Sequence, residues 1–305
     1  MLTRDLTYEK SATGKRVRKF GLALRANPPT FSRGNRLFFL CGANQGPGTP
    51  SVRRETIKKF IEGLSYEYRV IYAEGIFNEL AKIGQNKNAL DLEHEISAIA
   101  DKILIIMESP SAFCELGAFA HPALRKKLVI INDSKFRGSG SFIDTGPIAA
   151  AMEAKSPVLW YPMGAEGIFE LDGIGKIFGD LENALDTRTP ITTAFRPSRP
   201  EELGANKYSL YFIHDLVLFA GPVAHKELIA VLIEAFGKRN FDMVTKLLGI
   251  LREARLVVSY MVNGTWIFRT VGTTPFLRYA ADITSLMASF RSYHLRSNPE
   301  RFAHV

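Results

Sequence analysis

The chain has 305 residues, of which 46% are hydrophobic, so its length suits one large domain or two ordinary ones with buried cores. No apolar run reaches the roughly 18 residues that a membrane span needs, and the charged N-terminus has no apolar stretch behind it, which argues against a secretory signal. Two cysteines, Cys41 and Cys114, are too few for a disulfide framework. These features predict a cytoplasmic protein without membrane contact.

The net charge of +8 is unevenly distributed along the chain. Residues 1–36 hold nine Lys or Arg and two acidic residues, residues 37–206 hold 18 and 22, and residues 207–305 hold 12 and seven. Basic ends on an acidic centre suggest a polyanionic partner such as nucleic acid, although a solvated basic surface explains them equally well. Because residues 1–36 also show little periodicity, we predict an arm that is ordered only by contact with something else.

Apolar runs that alternate with helical segments predict a parallel sheet over residues 37–186. The predicted strands are 37–41, 68–72, 102–107, 128–131 and 156–161. The predicted helices are 52–65, 76–83, 89–100 and 112–121. Ligands on sheets of this kind bind at the carboxyl ends of the strands, so the loops that follow the strands are the places to look for a site.

A proline-rich segment, 187–207, is predicted to be a linker to a second domain, 208–305. This domain has three predicted helices, followed by two β-rich runs on either side of Asn263-Gly264, which is the strongest short-range signal for a hairpin. The helices are 208–219, 225–236 and 241–254, with a closing helix at about 276–290. Three helices followed by a hairpin predict a winged helix-turn-helix domain.

The loop after the third strand carries the strongest catalytic candidate. Ser111 can cap the next helix, and Glu115 then falls in the first turn or just beyond. The partial positive charge of a helix start favours an ionised carboxylate, which at this edge of the sheet is well placed to attack a sugar C1′. By position alone, however, such a glutamate is more often a solvated residue.

Residues 100–119 resemble the nucleoside 2-deoxyribosyltransferase-like fold. In that family an aspartate precedes the strand, an acidic residue follows it, and a nucleophilic glutamate stands in a Glu-Leu-Gly or Glu-Val-Gly segment. Asp101, Glu108 and Glu115 occupy those places here, and Gly42 matches the glycine of the first loop. The resemblance implies cleavage of an N-glycosidic bond, with these three acids as the catalytic group. Cys114 departs from the family, and we expect it to be a small core residue.

The segments 125–136 and 141–147, together with the tail 299–304, are similar to the deoxyribosyltransferase-like effectors of type II bacterial retrons. Those effectors also carry a C-terminal winged helix. The resemblance implies a toxin of anti-phage abortive defence, held inactive by a reverse transcriptase and its DNA–RNA product, msDNA. It also implies NAD as a substrate rather than a cofactor, and a homo-oligomer in which neighbours complete each pocket.

Further candidates follow from position in the predicted fold. The predicted substrate-binding residues are Gly42, Asn44, Tyr72, Glu74, Ser109, Phe142 and Gly146. The predicted nucleic-acid- or partner-binding residues are Lys238, Arg239, Lys246, Arg252, Arg255 and Arg269. The six histidines are scattered without metal-ligand spacing, so we predict no metal.

Two other functions stay open at this point. One is a transcription regulator whose first domain senses a nucleotide without turnover, which the basic winged helix favours and the three carboxylates disfavour. The other is a metabolic or DNA-modifying glycosyl transferase, which would exchange one base for another rather than hydrolyse the bond.

Overall fold

The computed structural model describes residues 2–8, 11–82, 88–185 and 202–303. The chain divides into a sheet unit, Asn35–Asn78 with Asn86–Ile191, and a helix-rich unit, Met1–Gly34, Glu79–Gln85 and Thr192–Val305. The described helices are α1 Leu2–Thr7, α2 Ala12–Ala26, α3 Val52–Leu64, α4 Ala73–Lys82, α5 Ala89–Ile99, α6 Pro110–Phe119, α7 Ala149–Glu153, α8 Phe178–Ala184, α9 Lys207–Ala220, α10 His225–Phe236, α11 Met243–Glu253 and α12 Ile283–Ser297. The described strands are β1 Thr30–Phe31, β2 Arg36–Cys41, β3 Asn44–Gly46, β4 Thr49–Pro50, β5 Tyr68–Ile71, β6 Lys102–Ile106, β7 Leu128–Asp133, β8 Val158–Tyr161, β9 Val223–Ala224, β10 Val257–Val262, β11 Thr265–Thr270 and β12 Leu277–Arg278.

The sheet unit is built on five parallel strands in the order β5-β2-β6-β7-β8. The central strands β2, β6 and β7 are buried along nearly their whole length, which explains why they are continuous apolar runs rather than alternating ones. All five predicted strands and the α/β class are confirmed. In the central register Phe39 lies beside Ile71 on one side and Ile103 on the other. The carboxyl ends of β2 and β6 therefore meet at one edge of the sheet.

Side-chain caps fix where three helices begin near that edge. Ser51 accepts a hydrogen bond from the backbone of Arg54 at the start of α3 (3.1 Å), and Asn88 caps α5. Ser109, not the predicted Ser111, caps α6. The reason is that Pro110 occupies the first helical position, where a residue without an N–H group is favoured.

The N-terminal residues form part of the helix-rich unit, so the predicted arm is wrong. Helix α2 packs against α10 and α12 through Val17, Phe20 and Leu24, and β1 pairs with β12. A Cβ atom at Gly21 would lie 2.1 Å from the carbonyl oxygen of Ala235, so α2 approaches α10 too closely for any other residue. The spacing of these apolar residues is helical, but it is interrupted by the basic residues that suggested an arm.

The rest of the helix-rich unit follows the order α9, β9, α10, α11, β10, β11, with a three-stranded antiparallel sheet in the order β10-β11-β9. The predicted hairpin is confirmed. Asn263 and Gly264 connect its strands with φ values of 47° and 73°, as a two-residue type I′ turn requires.

The closing helix begins later than predicted. Residues 277–278 form β12 opposite β1, and Asp282 caps α12 by accepting from the backbone of Ser285 at 3.0 Å. Most of the predicted linker, 187–207, lies outside the described residues. None of the described helices is both long enough and apolar enough to span a bilayer.

Candidate active site

A cavity of about 520 Å³ lies at the carboxyl edge of the sheet, among the loops that follow β2 and β6 and the helices α3 to α6. The predicted site residues that line it are Gly42, Asn44, Glu74, Glu108, Ser109 and Glu115. Residues that the sequence analysis did not select also line it, notably Cys41, Arg54, Glu93 and Ser111. The cavity therefore brings together four carboxylates and a single arginine.

Glu115 is the sixth residue of α6, and its Oε2 atom is buried without a hydrogen-bond partner. Burial first, and then the charge of Glu93, raise its pKa from 4.5 to about 7. That rise corresponds to about 3 kcal/mol in favour of the protonated form, whereas a helix start contributes about 0.3–1 kcal/mol to a nearby anion. Burial thus outweighs the helix dipole, so Glu115 is protonated far more readily than an ordinary glutamate, contrary to the expectation that the helix start favours its ionised form.

Glu93, on α5, is the second carboxylate without a compensating cation. Its pKa is raised by burial and by the negative charge of Glu74, while Arg54 lowers it. In the sequence it stands next to Leu92, which with Ile96 forms the buried stripe of α5. The sequence signal that could have identified Glu93 as a site residue is its place beside a buried apolar stripe. That signal is weak, because acids in such places are usually solvated.

Arg54 is almost wholly buried, with 1% of its surface exposed, and it neutralises Glu74. Its guanidinium donates to Oε1 and Oε2 of Glu74 at 2.8 and 3.1 Å, to Oδ1 of Asn44 at 2.7 Å and to the carbonyl oxygen of Leu40 at 3.0 Å. Burial alone would raise the pKa of Glu74, but the hydrogen bonds and charge of Arg54 bring it below its ordinary value. Tyr72 lies under the guanidinium at 4.4 Å and supports Arg54 instead of lining the cavity.

Glu108 is a structural carboxylate in this arrangement. Its side chain has no exposed surface, and it accepts from the backbone of Ala43 at 2.9 Å, from the hydroxyl of Ser51 at 2.6 Å and from Arg53 at 3.0 Å. A Cβ atom at Gly42 would lie 2.8 Å from Oε1 of Glu108, so a glycine is needed there. Glu108 thus holds the loop after β2 in place and has no free oxygen facing a sugar.

Asp101 is not brought to the cavity. It precedes β6, where its Oδ2 accepts from the backbone N–H of Leu37 at 2.7 Å and its own N–H donates to the Leu37 carbonyl oxygen at 2.8 Å. This places it at the amino ends of β2 and β6, a strand length of roughly 16 Å from the opposite edge. The prediction of a catalytic Asp101 is corrected to a role in tying two strand starts together.

Two predicted pocket residues also lie elsewhere in this chain. Phe142 is 81% exposed, and its ring packs beside Gly146 at the start of the helical turn Asp144–Ile148. Neither residue lines the cavity. They were selected for their resemblance to family loops, and resemblance gave no distance to the strand ends.

The cysteines differ from expectation. Cys41, at the end of β2, lines the cavity, and burial followed by the charge of Glu115 raises the pKa of its thiol well above the ordinary value. It is therefore a neutral thiol and a poor nucleophile. Cys114 is exposed, not a core residue. Among the described residues, no group of three His, Cys, Asp or Glu side chains could hold a metal ion.

Some of the predicted partner-binding residues are exposed, and others are buried or contact side chains of this chain. Lys238, Arg239 and Arg255 are exposed. Lys246 is buried, with 6% of its surface exposed, and Arg252 contacts Glu79 and the hydroxyl of Ser259. Arg269 is half-buried.

The burial and the contacts of Lys246 and Arg252 have a common cause. Eight of the eleven residues of α11 are buried, so the basic positions of this helix do not form one exposed stripe. In this conformation Lys246 and Arg252 are not available as phosphate contacts.

Comparison with known proteins places the chain in a family. Residues 50–259 match the family model described as STM3845 retron effector protein. The chain is 37% identical over 277 residues to "Retron Ec73 putative ribosyltransferase/DNA-binding protein" of Escherichia coli, an alignment that covers 86% of each chain. The protein of the same description from retron Ec86 is 34% identical over 111 residues, 36% of this chain and 35% of that one. The resemblance to retron effectors is confirmed at this level: the chain belongs to the STM3845 retron effector family.

Proposed function

We propose that this protein is the toxic effector of a retron and hydrolyses the N-glycosidic bond of NAD, with Glu115 as the group that attacks or stabilises the anomeric carbon. The observation that carries the proposal is the buried, unpartnered carboxylate of Glu115 on a cavity at the carboxyl edge of a parallel sheet. The ribosyltransferase names of the relatives support a reaction at a ribosyl carbon.

The charge of the cavity favours a cationic substrate. Arg54 compensates Glu74 and Arg53 compensates Glu108, so Glu93 and Glu115 are left as the uncompensated acids. The nicotinamide of NAD is a pyridinium cation, and its arrival between them would lower the pKa of Glu115 and ionise it. A neutral purine or pyrimidine nucleoside would bring no such charge.

The reaction follows from these roles. The bond between C1′ and the pyridinium nitrogen breaks, its electron pair neutralises the nitrogen, and nicotinamide leaves without needing a proton. Glu115 binds or stabilises the oxocarbenium-like carbon, and water then adds to C1′. Glu93 is positioned on the same cavity to accept the proton that the water releases, which completes hydrolysis to ADP-ribose.

The helix-rich unit supplies the second part of the proposal. Its order α9-β9-α10-α11-β10-β11 and its antiparallel sheet support the proposal that it is a winged helix-turn-helix domain. We infer that this domain, through the exposed Lys238, Arg239 and Arg255, docks on the reverse transcriptase and msDNA that hold the toxin inactive. Addition of that complex to the purified effector should lower its turnover.

A second candidate function is a nucleotide-sensing transcription regulator. The winged-helix order and the "DNA-binding" part of the relatives' names favour it. It predicts operator binding by the purified protein without consumption of any nucleotide. The cost of burying Glu115, about 3 kcal/mol by its pKa, weighs against it, because a sensor has no use for a poised carboxylate.

The test is incubation of the purified protein with NAD, deoxynucleoside triphosphates and nucleosides, with products separated by chromatography. We expect nicotinamide and ADP-ribose from NAD, and no new nucleoside when a free base is added. Glu115→Gln should abolish turnover and toxicity, whereas Glu166→Gln, which removes an exposed acid outside the cavity, should leave both unchanged. Full activity and toxicity of Glu115→Gln would refute the proposal, and base exchange would indicate a transferase.

A further inference from the structure

The helix-rich unit contains a second cavity, of about 440 Å³. It is bordered by the end of α9, the end of β11 with the loop that follows it, one face of α12, and Phe302. Cavities of this size accommodate small organic ligands. None of the residues already discussed as catalytic contributes to it.

The charged side chains that line this cavity are both cationic. Arg269 and Arg291 line it, no Asp or Glu does, and neither arginine forms an ion pair with a described carboxylate. The Nε atom of Arg269 is buried without a hydrogen-bond partner. A buried donor without a partner is unfavourable, and more so when it is charged, so an anion between the two guanidinium groups would satisfy it.

The neighbouring arginine does not share this state. Arg301 adjoins Phe302 in the chain, but its guanidinium donates to Oε2 of Glu227 at 2.6 Å and to Oε1 at 3.2 Å, so its charge is compensated. Arg301 therefore adds no uncompensated charge beside the two arginines that line the cavity.

The remaining walls are apolar or backbone. Val217, Leu218, Phe219 and Met287 form the apolar side, together with the ring of Phe302. Gly272 and Thr273, which are exposed residues, also line the cavity, and each carries a backbone N–H group that can donate to a ligand. A ligand that fits all three sides has an anionic group, a flat apolar body and polar atoms on its edge.

We propose that this cavity binds a nucleoside monophosphate group, with the phosphate between Arg269 and Arg291 and the base against Phe302 and the apolar wall. Guanidinium groups pair with phosphate by parallel hydrogen bonds, and bases stack on aromatic rings. The same chemistry is offered by a free nucleotide and by the 5′-terminal nucleotide of a single strand.

The test uses the full-length protein and calorimetric titration with AMP, inorganic phosphate, and short oligothymidylates with and without a 5′-phosphate. Arg269→Gln and Arg291→Gln should each weaken AMP binding by about tenfold or more. Arg278→Gln removes one exposed charge of the same unit outside the cavity and should not change it. Ala288→Trp, which fills the cavity without a change of charge, should also block binding, and thermal unfolding of each variant checks its fold.

The outcomes separate cleanly. AMP that binds the catalytic cavity would be insensitive to these variants, and wild-type affinity in both arginine variants would overturn the proposal. Phosphate that binds as tightly as AMP would overturn the part assigned to the base. A 5′-phosphorylated strand that binds more tightly than AMP identifies a strand end as the source, and the reverse order identifies a free nucleotide.

Discussion

The substitution Glu93→Gln tests the electrostatics of the proposed active site most directly. It keeps the shape of the side chain and removes the negative charge that, after burial, contributes most to the raised pKa of Glu115. The expected result is a lower pKa for Glu115, because its carboxylate no longer faces a like charge. Burial is the larger contribution and stays, so the pKa should not return to its ordinary value.

The rank of Glu93 among the causes of the raised pKa of Glu115 determines how its removal compares with the effect of burial. The whole rise, from 4.5 to about 7, is divided among burial, Glu93 and Glu74, and is partly opposed by Arg54. Since Glu93 ranks second to burial, its removal should lower the pKa, although by less than burial raises it. At a pH well below the pKa, each unit by which the pKa falls raises the ionised fraction of Glu115 by about tenfold. The rate of a reaction that needs the carboxylate rises by the same factor.

The assay is the pH dependence of kcat/KM for NAD hydrolysis, which reports the free enzyme. Its acid limb should lie near pH 7 in the parent protein and at lower pH in Glu93→Gln. The position of the limb is the readout, because the height also falls if Glu93 accepts the proton from water. Asp91→Asn, an exposed neighbour on α5 outside the cavity, is the matched control and should leave the limb in place. An unchanged or higher limb in Glu93→Gln would refute the reasoning.

Three further predictions follow from the same contacts. In Glu115→Gln the free energy of unfolding should depend less on pH. The pKa of Glu115 is about 7 in the folded protein and 4.5 in the unfolded chain, so the parent protein loses up to about 3 kcal/mol of stability as pH rises from 4.5 to 7. Urea unfolding at both ends of that range should show a smaller loss in the variant, and an equal loss in both proteins would contradict the prediction. Replacing Arg54 by Met leaves the half-buried Glu74 beside no cation. It should cost about 1–3 kcal/mol of unfolding free energy, because solvent screens part of the exposed carboxylate. Lys59→Met on the exposed side of α3 should cost little, and similar values for the two variants would show that the pair does not stabilise the site. Asp101→Asn should lower the free energy of unfolding by about 1 kcal/mol and should not shift the pH profile of hydrolysis. A shifted profile would indicate that Asp101 is catalytic after all.

Much of the sheet unit could be predicted because its signals are local. A buried parallel strand has to be apolar on both faces, so β2, β6 and β7 are visible as uninterrupted runs, and Asn263-Gly264 specifies its own turn. The position of Glu115 after β6 follows from the same run. The residues that follow a buried strand, such as Glu115, can therefore be located from the sequence.

The electrostatics of the site could not be predicted, because they depend on partners that are distant in the chain. Arg54 and Glu74 are separated by 20 residues and lie on different helices, and nothing local distinguishes them from solvated residues. The same holds for Glu93, which gains its raised pKa from burial and from Glu74.

Asp101 is a different kind of error. A residue that precedes a parallel strand lies at the amino edge of the sheet, whereas ligands bind at the carboxyl edge, and the family resemblance carries no information on that distance. The burial of Lys246 could not be predicted from the sequence, since a lysine on a helix is exposed in most proteins. Only the packing of α11 leaves it with 6% of its surface exposed.

The two uncompensated acids also determine how a dinucleotide would enter the cavity. Phosphate oxygens near Glu93 and Glu115 would face like charges in a poorly solvated space, whereas a pyridinium ring there gains two favourable interactions. The start of α6 lines the same cavity, with its partial positive charge and the hydroxyls of Ser109 and Ser111, which lie 2.9 Å apart. We therefore expect the base to enter first and the phosphates to stay toward the start of α6. In that orientation C1′ would lie between the leaving group and the carboxylate of Glu115, and a cationic base would favour the ionised form of the acid whose pKa burial raises.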